Sequence, residues 1–216
     1  MDFELIATVW IFFAEAAWVT IRISALAIML GLALGFIAAL ASIARSPLIR
    51  WPARTYVSIF RGTPALIQIF LLYFGGPQVG IQLGPFAAGV IGLGINIGAY
   101  MTESIRGAIL AVDSGQMEAS RCLGLGHAQS MRKVVLPQAL RLMVRPLGVN
   151  AVALVKGSAI VSTISVVELT YTAHRYISST YKPFEMFILA SLFYLAIVSV
   201  LSYAVKRIDE RVALEG

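Results

Sequence analysis

The sequence predicts an all-α integral membrane protein built on five transmembrane helices. Three observations carry this. Hydrophobic residues make up 59% of the 216-residue chain and charged residues only 13%, against about 25% in a soluble domain. Between Arg22 and Arg45 there is no charged residue, enough for one membrane-crossing helix of about 20 residues. The lysines and arginines, finally, concentrate in alternate loops, as the positive-inside rule requires of a multi-pass protein.

The elements follow in order. The first span is placed at 19–44, where Gly31 and Gly35 form a small-xxx-small pair that lets another helix approach closely. Residues 1–18 are mildly amphipathic and are expected at the outer surface. Their acidic start lacks the positive region of a cleaved signal peptide. The second span is placed at 56–75. A start at Gly62 would be too short to cross, so this span carries Arg61. The third, at 85–105, is rich in glycine and reads as a packed helix face. Its Gly-Leu-Gly is no dinucleotide fingerprint, because no strand precedes it. The fourth, at 147–169, holds Lys156 in its interior. A lysine at mid-depth costs about 2.5–3.5 kcal/mol or more, so this helix should line the bundle interior. Residues 171–184 are expected as a loop. The fifth span is placed at 186–205, followed by a charged, soluble tail.

Five spans put the termini on opposite sides. Eleven of the 17 lysines and arginines fall in the first loop, in the segment around 121–145 and in the tail, all on one side. That side is expected to be cytoplasmic, which places the N-terminus outside and the C-terminus inside.

The segment 114–137 is polar and yet patterned. Ser114 can cap a short helix from Gly115, which Gly124 and Gly126 would end through a left-handed turn. A second short helix is expected over 128–135, interrupted by Pro137, which has no N–H to donate. As physics alone, this is a helix–turn–helix between spans.

Its spacing resembles the EAA loop of bacterial ABC-importer permeases, E-A-A-x3-G-x9-I-x-L-P. Glu118, Ala119, Gly124, Leu136 and Pro137 stand at those intervals. Ser120 replaces the second alanine, and Val134 replaces the isoleucine. Flanking text resembles the narrower polar-amino-acid permease family: FRGTP at Phe60–Pro64, ESIRGAI at Glu103–Ile109, GQ at Gly115–Gln116 and LPQA at Leu136–Ala139. The resemblance covers residues 15–207. It implies the type I ABC importer permease fold as a single domain, 1–216, in the bacterial inner membrane. It also implies an importer subunit for a polar amino acid. The partners implied are two copies of an ATPase subunit that hold ATP and Mg, an extracytoplasmic amino-acid-binding protein, and a second permease copy or paralogue. Glu118, Ala119, Ser120, Gly124, Leu136 and Pro137 would then couple to the ATPase.

A zwitterionic amino acid needs a cation for its carboxylate and acceptors for its ammonium. Arg61, Thr63, Asn96 and Glu103 offer these, with Gln68 one turn beyond Pro64. Pro64 also leaves nearby carbonyls partly free, which is tolerated where backbone lines a cavity. Lys156, Ser158 and Ser162 complete the expected substrate path. The family stretch after the lysine often reads K-[DN]-[TS]-S-L; here Gly157 and Ala159 each remove a polar group. The ionisable residues could instead pair among themselves, as Glu103 and Arg106 can at i,i+3.

Other chemistry is excluded. No G-x-x-x-x-G-K-[ST] is present, so the chain has no phosphate cradle and is no enzyme of that kind. No cofactor or metal is expected in this chain, since His127 and His174 fall in loops on opposite sides. Its basic balance suits an inner membrane surface, not nucleic acid. Cys122 is the only cysteine, which rules out an internal disulfide framework. A secondary transporter would commonly show internal repeats, and a membrane enzyme would need a nucleophile–base or metal cluster. Neither is evident.

Overall fold

The computed structural model describes residues 3–214. The expectation for residues 1 and 2, and for the last two residues of the tail, lies outside them. The described residues form nine α-helices with short π and 3-10 turns. Four helices are long and apolar enough to cross a membrane, and a bent pair makes a fifth candidate.

The first correction is to the N-terminal segment. Residues 3–18 are not a separate surface piece; α1 runs unbroken over Phe3–Ser42. No proline interrupts this stretch, and its apolar residues surround the whole helix, as in a membrane span. Forty residues extend about 60 Å at 1.5 Å per residue, twice a bilayer core of about 30 Å. Its first turns pack Val9, Phe13, Ala16 and Ala17 against Leu169, Ala173, Met186 and Leu189.

Those partners expose a second correction. Residues 171–184, expected as a loop, are mostly helical: α8 spans Leu169–Thr180. Its Ser and Thr content hid it, because those residues are weak helix formers. Glu168 starts the helix by accepting a bond from the Tyr171 N–H at 2.7 Å, which satisfies one unpaired first-turn donor.

Helix α4 spans Pro85–Leu110 and makes its most extensive contact with α1. Glycines set that contact. A Cβ on Gly31 would lie 2.5 Å from Ile97 Cγ2, and one on Gly35 would lie 3.1 Å from the Gly98 carbonyl oxygen. Contacts advance together along both helices, from Ile23 against Gly89 to Gly35 against Met101, so α1 and α4 run parallel.

Between them the chain crosses back in two pieces. Helix α2 spans Pro47–Gly62 and α3 spans Ala65–Phe70. Helix α3 continues as a π turn over Leu71–Gly75 and a 3-10 turn over Gly76–Val79. The two pieces are bent by 105°, so residues 56–75 are not one straight helix. Pro64 is the cause: its ring pushes Thr63 out of the helical region, to φ −121°, ψ 147°.

The return helix, α7, spans Leu136–Gly157 and runs on as a 3-10 turn to Ile164. It starts before the expected 147 and ends before 169. Ser165 stops it by entering the left-handed region at φ 64°. Helix α9 spans Pro183–Leu214, so the described part of the tail continues the last helix.

Candidate functional site

The break at Thr63–Pro64 frees backbone carbonyls, and two amides occupy them. Gln68 Nε2 donates to the Phe60 carbonyl at 3.1 Å, to the Thr63 carbonyl at 3.1 Å and to Thr63 Oγ1 at 2.7 Å. From α4, Asn96 Nδ2 donates to the same Phe60 carbonyl at 3.0 Å and to Gln68 Oε1 at 3.0 Å. Thr63, Gln68 and Asn96 therefore meet, as acceptors and donors that seal the elbow. Tyr56 adds a bond to the Ile95 carbonyl at 2.7 Å. A cavity of about 650 Å³ opens beside the elbow, with Phe60, Thr63, Gln68 and Gly92 among its lining residues.

The elbow yields a direct prediction. In Asn96→Leu, Gln68 Oε1 loses its donor and the Phe60 carbonyl keeps only one. Leaving a buried polar group unsatisfied costs about 1–3 kcal/mol. The purified protein should show a lower melting temperature than wild type, whereas Asn96→Gln recovers part of the loss. An unchanged melting temperature for Asn96→Leu would show that the amide holds nothing.

The other expected residues separate. Arg61 is exposed, its guanidinium 5.3 Å from the centre of the Tyr100 ring. Glu103 is held by Arg106 through two bonds, at 3.2 Å and 2.7 Å, so it takes the local pairing. Lys156 is exposed on α7 and lines a different cavity of about 620 Å³, against Ser202 and Val205 of α9. Ser158 is fully buried and donates back to the Val155 carbonyl at 2.8 Å. Ser162 does the same to Ala159 at 2.7 Å. The elbow and Lys156 therefore line separate cavities.

Glu168, near the end of the fourth expected span, is a further ionisable residue whose place only the structure shows. It is fully buried, and besides capping α8 it accepts from the Tyr194 hydroxyl at 2.6 Å. Its signal was the step from Glu168 into a stretch of helical length, with an acid at the helix start.

The segment after α4 builds a compact helical turn. Helix α5 spans Ser114–Cys122, and its cap is Asp113, not Ser114. Asp113 Oδ1 accepts from the Gly115 N–H at 2.7 Å. At the other end Gly124 takes φ +83°. The Leu125 N–H reaches the Ser120 carbonyl at 3.1 Å and the Gly124 N–H reaches Arg121 at 2.9 Å. These two bonds close the helix as a Schellman motif, which favours glycine. Gly126 is not left-handed; it opens α6, His127–Ser130, at φ −67°. Pro137 does not interrupt the second helix. A π turn over Met131–Val135 carries the chain into α7, where Pro137 sits in the first turn and needs no donor.

The turn has two faces. Ser120 is buried, and Met117, Met131 and Val135 pack with Ile105 and Ile109 at the end of α4. Glu118, Ala119, Cys122 and Gly124 are exposed, and Leu123 is 83% exposed at the tip. Leu136 is half-buried and Pro137 exposed. Gln138 Nε2 ties the two arms by donating to Gln116 Oε1 at 3.2 Å. The turn thus exposes Leu123 together with Glu118 and Arg121, on a base packed against the end of α4.

Among the described residues no group of three His, Cys, Asp or Glu side chains could hold a metal ion. The sequence pattern of the binding-protein-dependent transport system inner membrane component family matches residues 31–214. A probable amino-acid ABC transporter permease protein of Bacillus subtilis, YckA, is 38% identical, covering 84% of this chain and 80% of its own. The arginine transport system permease protein ArtQ of the same organism is 36% identical over 93% of this chain and 92% of its own. A crystal structure of an amino acid ABC transporter with histidines superposes with a TM-score of 0.91 at 36% identity, over 98% of this chain and 99% of the other. The MetNI methionine transporter shares the fold at 22% identity, with a TM-score of 0.81 over 95% of this chain and 98% of the other. The chain belongs to the family of binding-protein-dependent transport system inner membrane components.

Proposed function

We propose that this chain is the transmembrane subunit of an ABC importer for a polar amino acid. The observation that carries the reading is the exposed turn of Glu118–Gly124 on a fold that matches an amino acid ABC transporter over nearly the whole chain. In this reading the turn docks on a separate ATPase, present in two copies, which holds ATP and Mg. A second permease copy or a paralogue completes the membrane unit, and an extracytoplasmic binding protein delivers the substrate. The basic loops face the cytoplasm and the N-terminus lies outside. The parallel run of α1 and α4 supports one crossing between them, as five spans require. Glu118, Ala119 and Gly124 meet the ATPase. Ser120 and Leu136 brace the turn from behind, and the exposed Pro137 adds to the docking surface. Arg61 attracts the substrate carboxylate, and Lys156 faces the aqueous interior. Thr63, Gln68 and Asn96 shape the path by holding its elbow.

The test is uptake into proteoliposomes holding the permease, its ATPase and its binding protein. Radiolabelled amino acids should accumulate only with ATP and only with the ATPase present. Arg61→Ala should reduce uptake about tenfold or more, the worth of a charge-assisted hydrogen bond, while the complex still assembles. Uptake that survives without the ATPase would identify a secondary transporter instead. Full uptake by Arg61→Ala would remove that residue from the path.

A further inference from the structure

Helix α2 carries a surface that the transport reading does not use. It buries Ala53 and Val57 against α1 and α4. On the other side Leu48 and Trp51 stand out, 86% and 71% exposed. At about 100° per residue these two positions fall on one stripe. Arg50 and Arg54, at i and i+4, flank that stripe on one side, and Arg45 lies in the turn before the helix. No acidic residue occurs between Glu15 and Glu103, so α2 has no carboxylate of its own; Glu103 of α4, already held by Arg106, lies within electrostatic reach of Arg54. The Nε of Arg50 is buried without a hydrogen-bond partner.

The bend sharpens the point. Two pieces bent by 105° cannot both stand along the bilayer normal. Helix α3 leads on to the connection before α4, and α2 begins where α1 ends. An amphipathic helix with Trp and Leu on one stripe and arginines beside it suits the boundary between headgroups and acyl chains. Anionic lipid headgroups attract such arginines.

We propose that the first half of α2, where this bent crossing enters the bilayer, is a slanted interfacial segment that retains anionic phospholipids of the inner leaflet. Arg45, Arg50 and Arg54 meet the headgroup phosphates. Leu48 and Trp51 sit among the upper acyl carbons. The leaflet assignment rests on the orientation given above; the lipid contact does not rest on the identity of the substrate.

The experiment uses the assembled permease–ATPase complex, exchanged into equal parts phosphatidylglycerol and phosphatidylcholine and released for native mass spectrometry. Wild type should retain phosphatidylglycerol in preference. Each of Arg45→Gln, Arg50→Gln and Arg54→Gln should lower that preference about fivefold, as one charge near an anionic surface does. The triple glutamine variant should lose it, and the triple lysine variant should keep it. Trp51→Ala should weaken retention of both lipids alike. Excess inorganic phosphate should displace nothing. Displacement by phosphate would make this a free-anion site and overturn the proposal, as would unchanged preference in the triple glutamine variant. A photocrosslinker placed at position 51 should label lipid; labelling of the ATPase or of a second permease instead would also overturn it. Uptake measured in parallel separates the two readings, because a complex that keeps its lipid preference but imports no amino acid contradicts only the transport assignment.

Discussion

Gly35→Leu should leave little folded protein in the membrane. A Cβ at Gly35 would lie 2.9 Å from Met101 Cβ, 3.1 Å from the Gly98 carbonyl oxygen and 3.3 Å from the Thr102 nitrogen. Two of these neighbours are backbone atoms of α4, which cannot rotate away. The leucine must push α1 and α4 apart along the most extensive helix contact of the bundle. Inside a bilayer, apolar side chains gain nothing by leaving lipid, so close packing is what holds such helices together. Overpacking a core by a few methylenes already costs about 1–3 kcal/mol, and separating backbones costs more. The control is Gly107→Leu on α4, where an added Cβ meets nothing within 4 Å. Membrane level and the monodisperse fraction on size exclusion should fall steeply for Gly35→Leu and stay near wild type for Gly107→Leu. Equal behaviour of the two would refute the glycine contact as the organising one.

That contact was legible in the sequence because small residues at i and i+4 in an apolar helix have few other uses. The five apolar stretches were legible for the same kind of reason, since bilayer thickness fixes their length. What could not be read was where the helices stop. Residues 3–18 looked amphipathic because Glu4 and Glu15 interrupt them, yet α8 and α9 supply an apolar partner that no local pattern reveals. Helix α8 was hidden by its Ser and Thr residues and depends on Glu168, whose partner Tyr194 lies 26 residues away. At the elbow, Pro64 announced freed carbonyls. The sequence could not show that Gln68 and Asn96 would turn toward them. In the polar turn, glycine at Gly124 announced a positive φ, but Gly126 carried the same symbol with another role. Ser120 stood in the motif beside exposed residues and yet faces inward, because α5 turns it toward Met117.

The turn itself carries the second large effect. Glu118 is exposed in the middle of α5 and is not needed for the fold by any hydrogen bond or ion pair among the described residues. Gly124 is needed for its backbone: φ is +83° and nothing lies within 4 Å of an added Cβ. A side chain there meets no clash inside this chain, but the left-handed backbone costs an L-residue about 1–2 kcal/mol. Asn and Asp tolerate that conformation better than other side chains, so Gly124→Asp should keep the turn and place a charge beside Leu123. Glu118→Lys reverses a charge on the same exposed face. Neither change touches the buried side formed by Met117, Met131 and Val135, so membrane level should stay near wild type. If the turn seats in an ATPase cleft, both variants should lose co-purifying ATPase and reduce ATP-driven uptake about a hundredfold or more, as a charge left unpaired in a buried interface costs several kcal/mol. Gly124→Ala separates backbone from surface: it should cost thermal stability while retaining most ATPase binding. A turn that only joins two spans would give normal co-purification and normal uptake in both charged variants. That outcome would end the coupling role and the import mechanism built on it, while leaving the fold and the lipid contact of α2 standing.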